Sequence, residues 1–191
     1  MIKIAIFASG SGSNAQRIVE YFSGHNDITI ACILSNRKDA YVLERAKVLK
    51  IPSYCFTKAD LYDNNAVIDI LNTCDVNFIV LAGFLLKIPA NIIEKFPDRI
   101  VNIHPALLPK YGGKGMYGDN VHKAVIDNRE KETGITIHKV NEKYDEGQPL
   151  FQISCAVDPS DTPEKVAEKV HALEYEWFPM VIERHILDLK N

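Results

Sequence analysis

Ile2-Lys3-Ile4-Ala5-Ile6-Phe7-Ala8-Ser9-Gly10-Ser11-Gly12-Ser13-Asn14-Ala15-Gln16-Arg17-Ile18-Val19-Glu20-Tyr21-Phe22 decides the fold class. Its first seven residues are an apolar, β-branched run of the kind found in a central parallel strand. Its last eight carry apolar residues at helical spacing. Between them lies a turn of glycine, serine and asparagine, so the stretch reads as strand, turn, helix. Such a turn lets backbone N–H groups converge on an anion at the positive end of the helix. Gly10, Ser11, Gly12, Ser13 and Asn14 are therefore the candidate phosphate site. The plainer reading is a tight βα turn with Ser13 or Asn14 as N-cap. Gly10, Gly12 and Ala15 also fit G-x-G-x-x-A, a permitted form of the dinucleotide fingerprint. The next strand, 28–34, ends in Ser35-Asn36-Arg37 and offers no acid for a ribose hydroxyl, although Arg37 suits a 2′-phosphate. A nicotinamide site is the minor competitor.

The same alternation continues outward. Helices are expected over 39–50, 60–74, 89–95 and 120–128, and strands over 53–56, 78–82, 100–103, 133–140 and 150–157. A final helix starts at Asp161-Thr162-Pro163-Glu164 and is expected to be interrupted at Pro179. Strands alternating with helices imply right-handed βαβ units. The expected fold is α/β: a single-domain, Rossmann-like, mostly parallel twisted sheet of about seven strands with helices on both faces.

At 191 residues, 47% of them hydrophobic, the chain fits one domain with a substantial core. It is read as one catalytic domain, with a nucleotide-binding half over about residues 1–100 and a second half over about residues 81–191. The net charge of −3 and pI near 6.1 give no basic surface for nucleic acid. No run approaches the ~20 apolar residues of a membrane helix. Cys32, Cys55, Cys74 and Cys155 form no C-x-x-C pair and read as reduced core or near-core thiols of a cytoplasmic protein.

The chemistry is placed on Arg99-Ile-Val-Asn102-Ile-His104-Pro-Ala-Leu-Leu-Pro-Lys-Tyr-Gly-Gly113. In a strand, Asn102 and His104 point to the same face. Pro105 ends the ladder, because it has no N–H to give. Ligands of open α/β sheets bind outside the carboxyl ends of the strands, and this pair sits at such an end. Lys110 to Gly118 holds four glycines and is expected to be a mobile substrate flap. His138 is a candidate third ligand beside His104 and His122, but no H-x-x-x-H or cysteine pair supports a metal, and none is assigned.

Asn102-x-His104-Pro105-x-Leu107-Leu108-Pro109 resembles the catalytic motif of the folate-dependent formyltransferases. Gly134, Thr136 and His138 follow as that family's G-x-T-x-H strand, and Asp145 with Gly147 as its D-x-G motif. Many members carry glycine where Glu146 stands, which bears on the backbone freedom of that loop. The resemblance runs from residue 2 to about residue 187. It implies transfer of the formyl group of 10-formyltetrahydrofolate to an amine, with glycinamide ribonucleotide of purine synthesis as the nearest substrate match and no metal. It makes Asn102, His104 and Asp145 catalytic and puts the ribonucleotide phosphate on Gly10 to Asn14. It also gives Glu174 to the glycinamide part, although a solvated helix face would explain that residue as well. Leu85, Leu86, Lys87 and Ile88, with Asn102, become folate contacts, and Lys58 stands as a weak substitute for an arginine that some members place nearby. Two donors, Asn102 and a protonated His104, would hold the oxyanion of the tetrahedral intermediate. Asp145 would raise the His104 pKa and help remove the amine proton through water. Hydrolytic and tRNA-directed relatives usually carry a further domain, which this chain is not expected to have. A monomer or homodimer is expected.

Overall fold

The computed structural model describes residues 1–190. Seven strands form a sheet in the order β3-β2-β1-β4-β5-β6-β7, the mostly parallel α/β arrangement expected. The chain divides into two units, Met1–Val101 and the remainder from Asn102.

The first unit holds β1 (Ile2–Phe7), β2 (Ile28–Ser35), β3 (Ser53–Cys55) and β4 (Phe78–Leu81), with β1 parallel to both β2 and β4 and β2 parallel to β3. Ile4, Ile6, Ile33, Leu34, Ile79 and Val80 are fully buried, which is why β1, β2 and β4 carry consecutive apolar residues rather than apolar residues at alternate positions only. Five helices connect and follow them: α1 (Ser13–Tyr21), α2 (Tyr41–Val48), α3 (Lys58–Tyr62), α4 (Ala66–Thr73) and α5 (Ala90–Lys95). The single helix expected over 60–74 is two. Thr57 and Asp60 form a reciprocal cap at the start of α3, and the Asn64 side chain accepts from Ala66 N at 2.8 Å to restart the chain as α4. The Asn64 bond to the backbone just ahead of it competes with helix continuation. Pro89 caps α5 from outside instead of occupying its first turn.

The second unit holds most of β5 (Ile100–His104), then α6 (Asp119–Asp127), β6 (Glu132–Lys139), β7 (Pro149–Ala156) and α7 (Pro163–Asp188). β6 and β7 are antiparallel. Gly134 in β6 faces Ser154, and a Cβ on it would lie 2.0 Å from Ile153 O, so no side chain fits there. Helix α7 runs unbroken through Pro179, contrary to expectation. Proline cannot give the helix its bond to the preceding turn, but Phe178, Val181 and Ile182 are buried on either side of it and hold the two halves in one line. Trp177 stacks on Phe151 of β7 at 4.9 Å between ring centroids.

All four cysteines are free thiols. Cys32 is buried and Cys74 and Cys155 are half-buried, but Cys55, on the short strand β3, is exposed and is not the core residue expected.

Candidate active site

β5 sends Ile103 into the core and Asn102 and His104 to the other side, as period-two geometry requires. His104 is only 4% exposed. Its Nε2 lies 2.7 Å from the carbonyl oxygen of Tyr111. A carbonyl only accepts, so Nε2 carries a proton and donates. Nδ1 then faces Asp145 Oδ2 at 3.6 Å, and it is the atom at which the ring gains or loses its proton.

Asp145 is placed by two contacts and a left-handed backbone. Its Oδ2 accepts from Gly113 N at 2.9 Å, its Oδ1 stands 3.7 Å from His138 Nε2, and its backbone is left-handed at φ 54°. His138 Nδ1 is 2.9 Å from Lys139 O and so donates, which leaves Nε2 to accept the Asn102 Nδ2 proton at 3.1 Å. The contact fixes the Asn102 amide with its nitrogen towards His138 and leaves that nitrogen a second proton for a ligand. Asn102, His104, His138 and Asp145 thus form one cluster. His138, considered from the sequence only as a metal ligand and as part of the G-x-T-x-H strand, enters the cluster through its contact with Asn102.

Two glycines make the cluster possible. A Cβ on Gly147 would lie 1.6 Å from Lys139 O, the acceptor of His138, and 3.2 Å from His138 Nδ1. A Cβ on Gly112 would lie 2.7 Å from Leu108 Cδ2. Glu146 needs no such freedom: it is exposed, it is not among the left-handed residues, and it pairs with Lys143 at 3.2 Å. The loop after His104 is tied to β6 by Thr136. Its hydroxyl donates to Ala106 O at 2.7 Å and accepts from Leu108 N at 3.0 Å and from Gln152 Nε2 at 2.8 Å.

The electrostatics differ from expectation in one respect. Asp145 and the Tyr111 carbonyl do favour the charged form of His104, but burial, with His138 nearby, outweighs them and holds its pKa below the ordinary histidine value. Burial pushes Asp145 up, yet the His138 ring, the charge on His104 and Gly113 N–H together keep it below the ordinary carboxylate value. His122 belongs elsewhere. It is buried in α6, its ring meets His171 edge-on at 6.3 Å, and its pKa is lowered by burial and then by His171. Among the described residues no three His, Cys, Asp or Glu side chains are grouped as metal ligands.

Glu174, in α7, is 6% exposed. It is a buried carboxylate and not part of a solvated helix face.

In the first unit, Gly12 and not Ser13 or Asn14 is the N-cap of α1, with φ 74°, no side-chain cap and no acid in the first turn. A Cβ on Gly12 would lie 2.4 Å from Val42 Cγ2, whereas one on Gly10 would meet nothing within 4 Å. Arg45 Nε donates to Ser11 O at 2.8 Å and Val42 N to Gly10 O at 3.1 Å, so α2 braces the turn. The segment after β4 turns at Gly83, φ 73°. Leu85 is 41% exposed and donates its N–H to Ser9 Oγ at 3.0 Å, while Ile88 is buried. Tyr62 OH donates to Lys87 O at 2.8 Å. Lys58 lies four residues before Tyr62 on α3, hence on the same helix face. Arg37 is engaged by Asp39 at 2.8 Å.

A parallel α/β sheet with an Asn-His-Asp cluster at a strand's carboxyl end defines a class, and the chain belongs to the formyl transferase family, whose sequence pattern matches residues 2–182. It is 41% identical over 186 residues to the chloroplastic phosphoribosylglycinamide formyltransferase of Arabidopsis thaliana, covering 94% of this chain and 64% of that one. It is 36% identical over 197 residues to the phosphoribosylglycinamide formyltransferase of Bacillus subtilis, covering 100% of this chain and 97% of that one. The crystal structure of phosphoribosylglycinamide formyltransferase from Anaplasma phagocytophilum superposes with a TM-score of 0.86 at 28% identity, covering 95% of this chain and 84% of that one.

Proposed function

We propose that this protein transfers the formyl group of 10-formyltetrahydrofolate to the amine of glycinamide ribonucleotide, a step of purine biosynthesis. The observation that carries the reading is the cluster in which His138 orients Asn102 while Asp145 faces Nδ1 of a buried His104. Attack of an amine on a formyl carbon puts negative charge on the formyl oxygen. The free proton of the Asn102 amide and the protonated Nδ1 of His104 donate to that charge as it develops, and one such donor is worth about 2.7–4 kcal/mol of barrier. Asp145 supports the protonated ring and takes up the amine proton through water; collapse of the intermediate re-forms the carbonyl and breaks the bond between the formyl carbon and N10, and the proton passes to N10 as tetrahydrofolate leaves.

The start of α1, with no side-chain cap, an open Gly10 and no acid in its first turn, suits the ribonucleotide phosphate on Gly10 to Asn14. Buried Glu174 is assigned to the glycinamide end. The exposed Leu85 beside Gly83, with Leu86, Lys87 and the backbone of Ile88, suits a flat folate ring. Tyr62 ties the helix bearing Lys58 to that segment, and Lys58 offers a charge for the folate glutamate. The four free thiols suit the cytoplasm.

The test follows loss of formyl from 10-formyltetrahydrofolate with and without glycinamide ribonucleotide. Loss that requires the ribonucleotide, with formylated ribonucleotide as product, is expected. Equal loss without it would make the protein a hydrolase, and no loss in either case would end the reading.

A further inference from the structure

We propose that Tyr111 and Glu130 form a positioning pair that fixes which nitrogen of His104 carries its permanent proton. The inference deepens the function proposed above and rests on His104 being the acid of that site.

Tyr111 is a non-glycine residue in the left-handed region, φ 56°. Its carbonyl oxygen accepts from His104 Nε2 at 2.7 Å, while its hydroxyl, at the other end of the residue, donates to Glu130 Oε1 at 2.9 Å. Left-handed backbone is strained for a residue with a side chain and persists only where its surroundings hold it. Here one neighbour makes room and one bond anchors the residue. Gly112 lets the chain pass Leu108, and the phenol is anchored on Glu130, three residues beyond the end of α6. Glu130 is itself held by Lys110 Nζ at 3.1 Å. That ion pair is largely exposed and weak on its own, whereas the Tyr111 hydroxyl bond is partly buried.

The consequence falls on His104. With Nε2–H committed to a carbonyl, the neutral ring has its lone pair on Nδ1, towards Asp145. A proton gained by the ring then sits between ring and carboxylate. An imidazolium donates more strongly than a neutral ring, so the Tyr111 carbonyl also favours the charged form, as does Asp145, against burial and the neighbouring His138. The charged groups that bear on the assembly are Asp145 and His138 at the ring and Lys110 at Glu130, with Asn128 as a polar neighbour of the phenol.

The test is imidazole ¹⁵N NMR of the full chain, with His104 assigned by its loss in His104→Gln, beside the pH profile of formyl transfer. In the unsubstituted protein the neutral ring is expected to be protonated at Nε2. Tyr111→Phe and Glu130→Ala should each move the His104 midpoint down by about 0.5–1 pH unit, the scale of one hydrogen bond. They should move the alkaline limb of kcat with it, leave KM nearly unchanged, and not add in the double variant. Glu130→Gln, which still accepts from the phenol, should keep the original midpoint. A neutral ring protonated at Nδ1, or a midpoint unmoved in both Tyr111→Phe and Glu130→Ala, would overturn the inference. The NMR readout stands whether or not the protein transfers formyl, so failure of the proposed function is seen separately in the assay of the unsubstituted protein.

Discussion

The Asn102 amide nitrogen stands 3.1 Å from His138 Nε2, and it can donate there only because His138 Nδ1 gives its own proton to Lys139 O. The donor assigned to the formyl oxygen is thus aimed by a histidine that need not touch the substrate. Asn102→Ala and His104→Ala should each lower kcat by about 10²–10³, the usual cost of an oxyanion donor, and Asp145→Ala by about 10²–10⁴, the range for a lost general base. His138→Ala should lower kcat less and leave KM for the ribonucleotide nearly unchanged. Steady-state kinetics with a thermal melt for each variant check this. Normal activity in the three Asn102, His104 and Asp145 variants would remove the cluster from catalysis.

Gly147→Ala brings a methyl group to 1.6 Å from Lys139 O, so the loop carrying Asp145 or the end of β6 must move. Loss of both stability and turnover is expected, well beyond the roughly 0.5–1 kcal/mol that ordinary glycine-to-alanine changes involve. Glu146→Gly, one residue away, should be close to neutral, since Glu146 is exposed and its backbone is not left-handed. Urea unfolding of the two variants separates them.

Stability should fall with acidification in two stages. The folded-state pKa values of His104 and His122 are lowered, so between those values and about 6.5 the unfolded chain binds more protons and folding weakens as pH drops. Asp145 is also held below its ordinary value, and its contribution is present above about pH 3.9 and is lost as pH falls through its folded value. Urea midpoints measured across this range should show a shallower first stage in His122→Asn, and a shallower one again when His104→Asn is added. An unchanged slope would mean that neither ring is buried uncharged.

Gly12→Ala should raise the KM for the ribonucleotide more than that for the folate. Its φ of 74° is unfavourable for alanine, and the new methyl would lie 2.4 Å from Val42 Cγ2, which displaces the turn. Val42→Ala added to it should restore neither stability nor the KM, because Val42 Cβ at 2.5 Å and Cα at 2.8 Å still face the new methyl and the backbone strain remains. Tyr62→Phe, which frees Lys87 O, is the complementary case and should raise the KM for the folate alone.

The parts of this architecture that sequence reveals are those fixed by local periodicity. A period of two put Asn102 and His104 on one face, and continuous apolar strands marked the parallel sheet. The glycine turn after β1 marked the strand–turn–helix junction, although the cap fell on Gly12 because only that position of the turn takes a left-handed backbone. What stayed hidden depends on contacts between distant segments. Nothing near His138 shows that Asn102 will meet it, and nothing near Tyr111 shows that its carbonyl will hold a histidine. The reach of burial is equally nonlocal. It keeps α7 straight through Pro179, encloses Glu174, and reverses the direction in which Asp145 alone would have moved His104. The break between α3 and α4 was written in Asp63-Asn64-Asn65, but it was outweighed by the apolar spacing on either side.

The Thr136 hydroxyl has one proton and two lone pairs, and Ala106, Leu108 and Gln152 use all three. Such a position filters substitutions by valence and not by volume. In a saturation library selected for activity, serine should be recovered at 136 while valine, with nearly the same shape, is lost. Sequence drift there is confined to a two-letter alphabet by the geometry of a single oxygen atom.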